Sequence, residues 1–305
     1  MPNEHLMAGP VYQIAEAVLR KQPEFSAFRN GELSRARFAT FLDQMAATLH
    51  RAGLPPDDVQ FAKRYPASDA TFVDDWMRRL AAAGIVPTPE YDRAAFRRAA
   101  AAARRHFHHG PFATYIYPEE ARLLFAVCDV LRPHHTVVLG SYYGYWAYWA
   151  AAAVARHGGR LVLVDPDSRA QAVARKSFAR LGLSRCTEII EDTGEAYLTR
   201  CAEPVDCVVL DAELPRTGGN PLTAGKSIYA VLLHAALERT RPGAALICHN
   251  ILFHDIAGTE FFTEIINRNE RELAAFLALV SRCCDGFVEC TSTEGVGVGR
   301  LRRDR

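Results

Sequence analysis

From about residue 119 onward, the sequence alternates between short apolar runs and helix-like segments. Five such runs follow one another, and each is succeeded within two residues by a glycine or a polar side chain: 136–139, 160–164, 187–190, 205–210 and 244–248. Short apolar strands that alternate with helices are typical of a parallel sheet covered on both faces. The pattern therefore predicts an α/β fold of the Rossmann-like type.

The end of the chain departs from this alternation. Two strand-like runs, 286–291 and 295–301, are separated only by Ser292-Thr293-Glu294. A connection this short joins antiparallel neighbours, because parallel strands need a long crossover. We therefore expect a mostly parallel sheet that ends in an antiparallel C-terminal hairpin.

Residues 1–108 show no strand-like alternation and have the pattern of successive helices. Ser34 precedes an amphipathic segment and is placed to cap a helix, Ser68 or Asp69 is expected to open a second, and Thr88-Pro89 a third, Ala-rich helix. We predict an all-helical N-terminal domain over 1–108 and a Rossmann-like domain over 109–305. A lid, a dimer surface and a structural cap are the open roles for the helical part.

Composition excludes several classes of protein. The chain has 36 basic and 35 acidic residues, a formal charge of +1, unlike the strongly basic balance of a nucleic-acid binder. The start, Met1 to His5, lacks the basic and apolar regions of a signal peptide, and the most apolar stretch, 146–155, is about half the length that crosses a bilayer. We expect neither a nucleic-acid nor a membrane partner.

The positions of the cysteines and histidines indicate a reduced compartment and no metal cluster. All eight cysteines lie at or after Cys128 without a Cys-x-x-Cys pair, which is typical of small core residues in a reduced cytoplasm. His106, His108 and His109 have no accompanying carboxylate or cysteine cluster, so no metal is expected there. A cytoplasmic location is predicted.

Chemistry-bearing residues follow each of the five predicted parallel strands. They are Gly140 to Gly144, Asp165, Asp192-Thr193-Gly194, Asp211, and His249-Asn250. Ligands of open parallel sheets bind beyond the carboxyl ends of the strands. Five such groups in register predict a binding site at that edge.

The glycine spacing narrows the ligand class. Gly140 and Gly144 form G-x-x-x-G, which lacks the middle glycine that lets a backbone approach a pyrophosphate. Asp165, about 25 residues after Gly140, is placed to accept hydrogen bonds from ribose hydroxyls. A nucleoside ligand without a pyrophosphate, commonly S-adenosylmethionine, fits this pattern better than NAD(P).

Four segments resemble the class I methyltransferases of the catechol/caffeoyl-CoA O-methyltransferase type: 138–146, 161–165, 206–212 and 237–252. The last contains Arg241-Pro242-Gly243, an apolar strand and His249-Asn250, and the closing 295–301 run is similar to the terminal hairpin strand of that class. The resemblance spans about residues 110–302. It implies a class I methyltransferase sheet that binds S-adenosylmethionine.

The resemblance further implies a cofactor site made of residues that follow the first four strands: Gly140, Ser141, Tyr142, Gly144, Tyr145, Asp165, Asp192, Thr193 and Asp211. In that arrangement the glycine turn lines the methionine part, Asp165 holds the ribose, and Asp192-Thr193 flank the adenine. Aromatic rings such as Tyr145 can face the sulfonium, and Tyr115 and Tyr117 can reach the mouth of the site.

The chain departs from the metal and base residues of that family. Asp211 and Asn250 match two of the family's metal ligands, but the middle ligand is His249. The family's base lysine corresponds to Leu214, and Lys226 lies beyond a Gly-rich insertion. Imidazole suits a softer divalent metal than magnesium, or a general base without metal.

We therefore expect His249 to act as a neutral general base or a metal ligand that faces the transferred methyl, and we favour the metal-free base. Asp211 would orient it or bind the metal, and Asn250 would act as a polar clamp. His254 is a weaker candidate base. Val138 stands where the family has an acid, so the cofactor's amino group must find another partner.

The predicted function is methyl transfer from S-adenosylmethionine to a hydroxyl, and less readily to a nitrogen, of a small molecule that can be aromatic. A homodimer is expected. Two alternatives stay open: an NAD(P)-dependent oxidoreductase on a similar sheet, and a non-catalytic S-adenosylmethionine-binding protein.

Overall fold

A computed structural model describes residues 10–217 and 223–302. Met1 to His5, where no signal peptide is expected, lie outside these ranges. The centre of the Gly-rich insertion also lies outside them. The helices are α1 Pro10–Leu19, α2 Pro23–Arg29, α3 Arg35–Arg51, α4 Pro56–Ala62, α5 Asp69–Ala82, α6 Arg93–His106, α7 Pro118–Leu131, α8 Tyr145–Val154, α9 Ser168–Arg180, α10 Gly194–Arg200, α11 Ile228–Leu237 and α12 Glu260–Cys283. The strands are β1 His135–Leu139, β2 Arg160–Val164, β3 Thr187–Ile190, β4 Val205–Leu210, β5 Thr240–His249, β6 Cys284–Cys290 and β7 Val296–Leu301.

The strands form one seven-stranded sheet in the order β3-β2-β1-β4-β5-β7-β6. β1 to β5 are parallel, and β7 runs antiparallel to both β5 and β6. Successive strands are added on one side of β1 up to β3 and on its other side from β4 onward. The boundary between β1 and β4 is therefore the switch point at which open α/β sheets bind ligands. The Rossmann-like fold and the antiparallel terminal hairpin are confirmed.

Both faces of the sheet are buried at its centre, which explains why β1, β2 and β4 are almost continuously apolar. Val138 and Val209 face one core, which α7, α8 and α9 cover. Val137 and Leu139 face the opposite core, covered by α10, α11 and α12.

The N-terminal helices divide between two cores. α5 and α6 contribute Val73, Leu80 and Phe96 to the core on the α7 and α8 side of the sheet. α1 to α4 surround a separate cluster that includes Phe38 and Leu42. Part of the N-terminal helical region is therefore continuous with the core of the sheet.

Several helix ends match the sequence prediction and others differ. The Ser34 and Ser68 hydroxyls accept hydrogen bonds from the backbone at the starts of α3 and α5, as expected. α6 begins at Arg93 rather than near Thr88-Pro89, because Asp92 caps it by accepting from Ala95 N at 2.8 Å. α10, which the sequence analysis did not identify, is capped by the side chain of Thr193.

One buried arginine connects the helical region to the end of the sheet. The side chain of Arg64 donates to the backbone oxygens of Ser292, Thr293 and His254 at 2.8–2.9 Å. Because the 292–294 turn joins β6 to β7, this contact places α4 beside the carboxyl edge of the sheet. No helix within the described ranges is long and apolar enough to span a membrane.

Candidate active site

A cavity of about 490 Å³ lies at the carboxyl ends of β1, β2 and β4. Seven of the residues predicted from sequence line it: Gly140, Tyr142, Asp165, Thr193, Gly194, Asp211 and Asn250. We call it the donor cavity. Its volume lies within the range of cofactor sites, about 300–1,000 Å³.

The turn after β1 forms one wall of the donor cavity, and its shape requires glycine. Gly140 has a φ of +79°, and a Cβ there would lie 2.4 Å from the Cα of Ala212. Gly144 has a φ of +86° and begins α8, where a Cβ would lie 2.8 Å from Phe178. Gly140 lines the cavity, whereas Gly144 packs behind it.

Asp165 ties the turns after β1 and β2 together. Its Oδ2 accepts from Tyr142 N at 2.8 Å, and its Oδ1 accepts from Asp167 N at 2.9 Å. Burial raises the pKa of this carboxyl group, while the two backbone N–H donors oppose that shift. The carboxylate lines the cavity and has further lone pairs for hydroxyl groups, so it fits a ribose.

Three other predicted cofactor residues do not line the cavity. The Ser141 hydroxyl is buried and accepts from Gln171 Nε2 at 3.0 Å. Tyr145 is buried beside Phe107 and His109. Asp192 forms an ion pair with Arg200.

His249 is not placed as the sequence analysis expected. It is only 1% exposed, and it lines neither the donor cavity nor the second cavity that adjoins it. Its Nδ1 lies 3.1 Å from Asp211 Oδ1, its Nε2 lies 3.0 Å from Glu120 Oε2, and its ring stacks on Trp146 with 4.4 Å between centroids. Both ring nitrogens are thus occupied by carboxylates.

This environment determines the charge of the ring. Burial opposes the charged form, but the Asp211 and Glu120 carboxylates outweigh it and raise the pKa of His249 to about 10. At neutral pH the ring is an imidazolium, with a proton on each nitrogen and no free lone pair. The general-base role is therefore not confirmed, and the reason is the buried carboxylate of Glu120, which no motif marks.

The candidate metal ligands do not fit a divalent ion either. Asp211 Oδ1 accepts from both His249 Nδ1 and Asn250 Nδ2, the latter at 3.2 Å. Both ring nitrogens of His249 face carboxylates, and the Asn250 amide directs its nitrogen at Asp211, so these side chains are bonded to one another and do not converge on an ion. The described part of the chain contains no group of three or more His, Cys, Asp or Glu side chains arranged to hold a metal, the His106 to His109 segment included.

A second cavity, of about 780 Å³, adjoins the first, and we call it the acceptor cavity. Phe61, Tyr115 and Phe261 line it, with Phe61 packed edge-on against Phe261 at 5.6 Å. Tyr115 therefore borders this cavity rather than the donor cavity, and Tyr117 is fully buried behind it. Four residues line both cavities: Thr114, Glu213, Lys226 and Asn250.

Lys226 reaches this junction because a bridge joins the two ends of the insertion. Leu214 and Gly225 form an antiparallel bridge, in which the distance from Leu214 N to Gly225 O is 3.2 Å and that from Gly225 N to Leu214 O is 3.0 Å. The bridge brings the Lys226 Nζ within 3.3 Å of Glu213 Oε2. The lysine is only 3% exposed. Its spacing along the sequence did not predict this position, because Leu214 occupies the place of the family's lysine.

The neighbours of Lys226 hold its carboxylate partner in place. Arg216 donates to Glu213 at 2.6 Å and to Glu272 at 2.7 Å. Burial raises the pKa of Glu213, but Lys226 and Arg216 outweigh it and the net shift is downward. The junction therefore holds a fixed carboxylate and a fixed ammonium group.

The chain is similar in sequence to known methyltransferases. A family model described as "Methyltransferase domain" matches residues 137–251. The catechol O-methyltransferase of Niastella koreensis is 26% identical over 189 residues, which cover 60% of this chain and 76% of that protein.

Two solved structures share the fold. Cofactor-bound Rv0187 from MTB is similar with a TM-score of 0.51 and 18% identity, covering 70% of this chain and 92% of its own. The SAH-bound Podospora anserina methyltransferase PaMTH1 has a TM-score of 0.52 and 16% identity, covering 70% and 90%. Residues 137–251 are thus similar to a methyltransferase domain, and the seven-stranded sheet has the fold of these two solved structures.

Proposed function

We propose that this enzyme methylates a hydroxyl group of a small molecule, with the methyl donor in the donor cavity and the hydroxyl compound in the acceptor cavity. The observation that carries the proposal is the shared wall: Thr114, Glu213, Lys226 and Asn250 line both cavities. Methyl transfer needs the two reactants in line and close together, so adjoining cavities suit it.

The residues of the donor cavity suit the parts of S-adenosylmethionine. Bound there, the donor supplies an electrophilic methyl group on a sulfonium. Asp165 is placed to accept from the ribose hydroxyls. Asp211 lines the same cavity, and its Oδ2 has no hydrogen-bond partner among the described residues, so it is available for the amino group that Val138 cannot bind.

The acceptor cavity favours an aromatic alcohol. Phe61, Tyr115 and Phe261 offer ring faces and edges to a planar molecule. A phenolic acceptor also matches catechol, the substrate for which the Niastella koreensis relative is named. Because Asp57 and Phe61 line this cavity, the N-terminal helical region serves, in this proposal, as the wall on the acceptor side.

Lys226 is proposed to supply the charge that the reaction requires. A hydroxyl oxygen becomes a better nucleophile as it loses its proton to solvent, and an ammonium group beside it stabilises the negative charge that develops until the oxygen takes the methyl group and the carbon–sulfur bond of the donor breaks. Lys226 is the cation among the four shared residues, and Glu213 holds it from one side. His249 has no direct part in this step, because its nitrogens face Asp211 and Glu120.

The test is an activity assay with mass-spectrometric detection. Purified protein, S-adenosylmethionine and a panel of catechols, simple phenols and aromatic amines should yield O-methylated products and SAH. Calorimetry should show binding of SAH and none of NAD. Methylation of the amines alone would refute the O-methyl assignment, and binding of NAD instead of SAH would favour the oxidoreductase alternative. Homodimer formation and a cytoplasmic location stay predictions.

A further inference from the structure

Glu120 is a buried carboxylate that holds two segments beside the active site, the end of β5 and the 292–294 turn. It lies in the first turn of α7 and is completely inaccessible to solvent. Its Oε2 accepts from His249 Nε2 at 3.0 Å and from Tyr117 N at 3.1 Å. Its Oε1 accepts from Ser292 Oγ at 2.8 Å and from Glu294 N at 2.7 Å. Four donors around one carboxylate leave it a single orientation.

His249 carries this constraint to the donor cavity. The ring is held by its stacking on Trp146 and by its two carboxylate partners, and its backbone oxygen accepts from Tyr229 Oη at 2.8 Å. A ring nitrogen that faces an ionised carboxylate must carry a hydrogen, so Nδ1 donates to Asp211 Oδ1. Glu120 thus determines which way the His249 ring presents its donor.

Asp211 receives that donor at the wall of the donor cavity. With Asn250 Nδ2 bonded to the same oxygen, Oδ1 is anchored by two N–H groups. The orientation of the whole carboxylate, including Oδ2, follows from this anchoring. Glu294, whose backbone Glu120 also holds, lines the acceptor cavity.

We propose that Glu120 is a positioning residue of this methyltransferase: acting through His249, it orients the Asp211 carboxylate toward the amino group of the bound donor. The inference rests on the proposed function, because it takes the donor to occupy the cavity beside Asp211. Glu120 itself touches neither cavity, so its effect must pass through His249 and the 292–294 turn.

Glu119 provides a matched control for the test. It lies in the same turn of α7, is 1% exposed, and bonds the same hairpin turn through Thr293 N at 3.1 Å and Thr293 Oγ1 at 2.5 Å. It makes no hydrogen bond to His249 among the described residues. Replacing Glu119 by Gln therefore disturbs the link between helix and hairpin without removing a hydrogen bond of the Glu120–His249–Asp211 chain.

The experiment measures SAH affinity by calorimetry, together with the melting temperature, for Glu120→Gln and Glu119→Gln. We expect Glu120→Gln to weaken SAH binding by roughly tenfold, because the charged hydrogen bond that holds the His249 ring, and through it the Asp211 carboxylate, becomes a neutral one. Glu119→Gln should stay within about twofold of wild type at a similar cost in melting temperature. Equal weakening by the two variants would mean that Glu120 is only a structural residue and would overturn the proposal.

A double-mutant cycle tests whether the effect passes through His249. In His249→Asn the amide nitrogen takes the place of Nδ1 and keeps a donor for Asp211, but the shorter side chain no longer reaches Glu120. In that background Glu120→Gln should change SAH affinity by less than about twofold, because coupled residues are not additive. A full tenfold loss there would also overturn the proposal. If the wild-type protein binds no SAH, the proposed function itself fails. If the wild type binds SAH but the variants do not behave as expected, only the role of Glu120 fails.

Discussion

At the scale of single residues, the site depends on charges that are fixed by buried partners. Lys226 is held by Glu213, and His249 is held between Asp211 and Glu120. In each case a charge lies where it would be costly without its partner, so removal of one member affects the other. Three predictions follow from these contacts.

Replacing Lys226 by Met should lower kcat by about 10²–10³, because the neutral side chain cannot stabilise the developing charge on the acceptor oxygen. SAH affinity should change by less than about threefold. Steady-state kinetics and calorimetry separate the two effects, and Lys176→Met, an exposed lysine on α9, is the control. Wild-type turnover in Lys226→Met would show that another group activates the acceptor.

Removal of divalent metals should leave activity within about twofold of its starting value. Asp211 Oδ1 is occupied by two N–H donors, and the protonated His249 ring cannot coordinate. The measurement is turnover before and after dialysis against EDTA, with and without added Mg²⁺ or Mn²⁺. A loss on chelation that either ion restores would contradict the site as described.

The stability of the protein should fall as the pH rises from about 6.5 toward 10. The pKa of His249 is raised to about 10 in the folded state, above the ordinary value of 6.5. The folded protein therefore binds more protons than the unfolded chain in this window, and the stabilisation present below pH 6.5 is lost as His249 deprotonates. Denaturant unfolding at pH 8 and pH 10 should show a loss larger in wild type than in His249→Asn by about 1–3 kcal/mol. Equal losses would mean that the imidazolium is not what stabilises the fold there.

At the scale of elements, the turn between β1 and α8 sets the shape of the donor cavity. Its first glycine has a positive φ and lies against the backbone of Ala212, which follows β4. Two neighbouring strands therefore approach so closely at their ends that only a hydrogen fits between them. The glycine spacing visible in the sequence has its physical cause in this approach.

Gly140→Ala should destabilise the fold and abolish SAH binding, since its Cβ would lie 2.4 Å from the Ala212 Cα and one of the two strand ends must move. Gly158→Ala is the control, because Gly158 also has a positive φ, +72°, but no atom within 4 Å of the added Cβ. Both variants share the backbone strain, so the difference between their unfolding free energies isolates the clash. We expect that difference to be about 2 kcal/mol or more. Equal losses would mean that the approach to Ala212 is unimportant.

At the scale of the whole molecule, the N-terminal helices and the sheet share one core on the α7 and α8 side. Phe96 of α6 packs against Phe125 and Trp149 with 5.5 and 5.7 Å between ring centroids. The α1 to α4 cluster instead reaches the sheet through Arg64 and Tyr117. The two halves of the helical region are thus attached to the sheet in different ways.

We therefore expect truncations at two positions to differ. A chain that begins at residue 67 should keep its sheet and lose activity, because it loses the Phe61 wall of the acceptor cavity but keeps α5 and α6. A chain that begins at residue 106 should aggregate, because Phe125 and Trp149 become exposed. Circular dichroism, gel filtration and the methylation assay check both. Activity in the shorter chain would refute the shared core.

The sequence by itself determined the sheet and its ligand edge, because these depend on local patterns. Continuous apolar runs such as Val137 to Leu139 reveal strands buried on both faces, and the Gly140 turn and Asp165 mark strand ends whatever the rest of the chain does. The shared position of Asp165, Asp211 and Asn250 followed from the same reasoning.

Only the tertiary structure decided the roles of Lys226, His249 and Glu120. Lys226 reaches the junction through a bridge between Leu214 and Gly225, and Glu120 meets His249 across 129 positions of sequence. The charge of a histidine depends on which groups surround it in space, and its spacing in the motif carries no information about a carboxylate on a distant helix. For that reason the motif located His249 correctly at the end of β5, whereas its chemistry was determined by packing against α7.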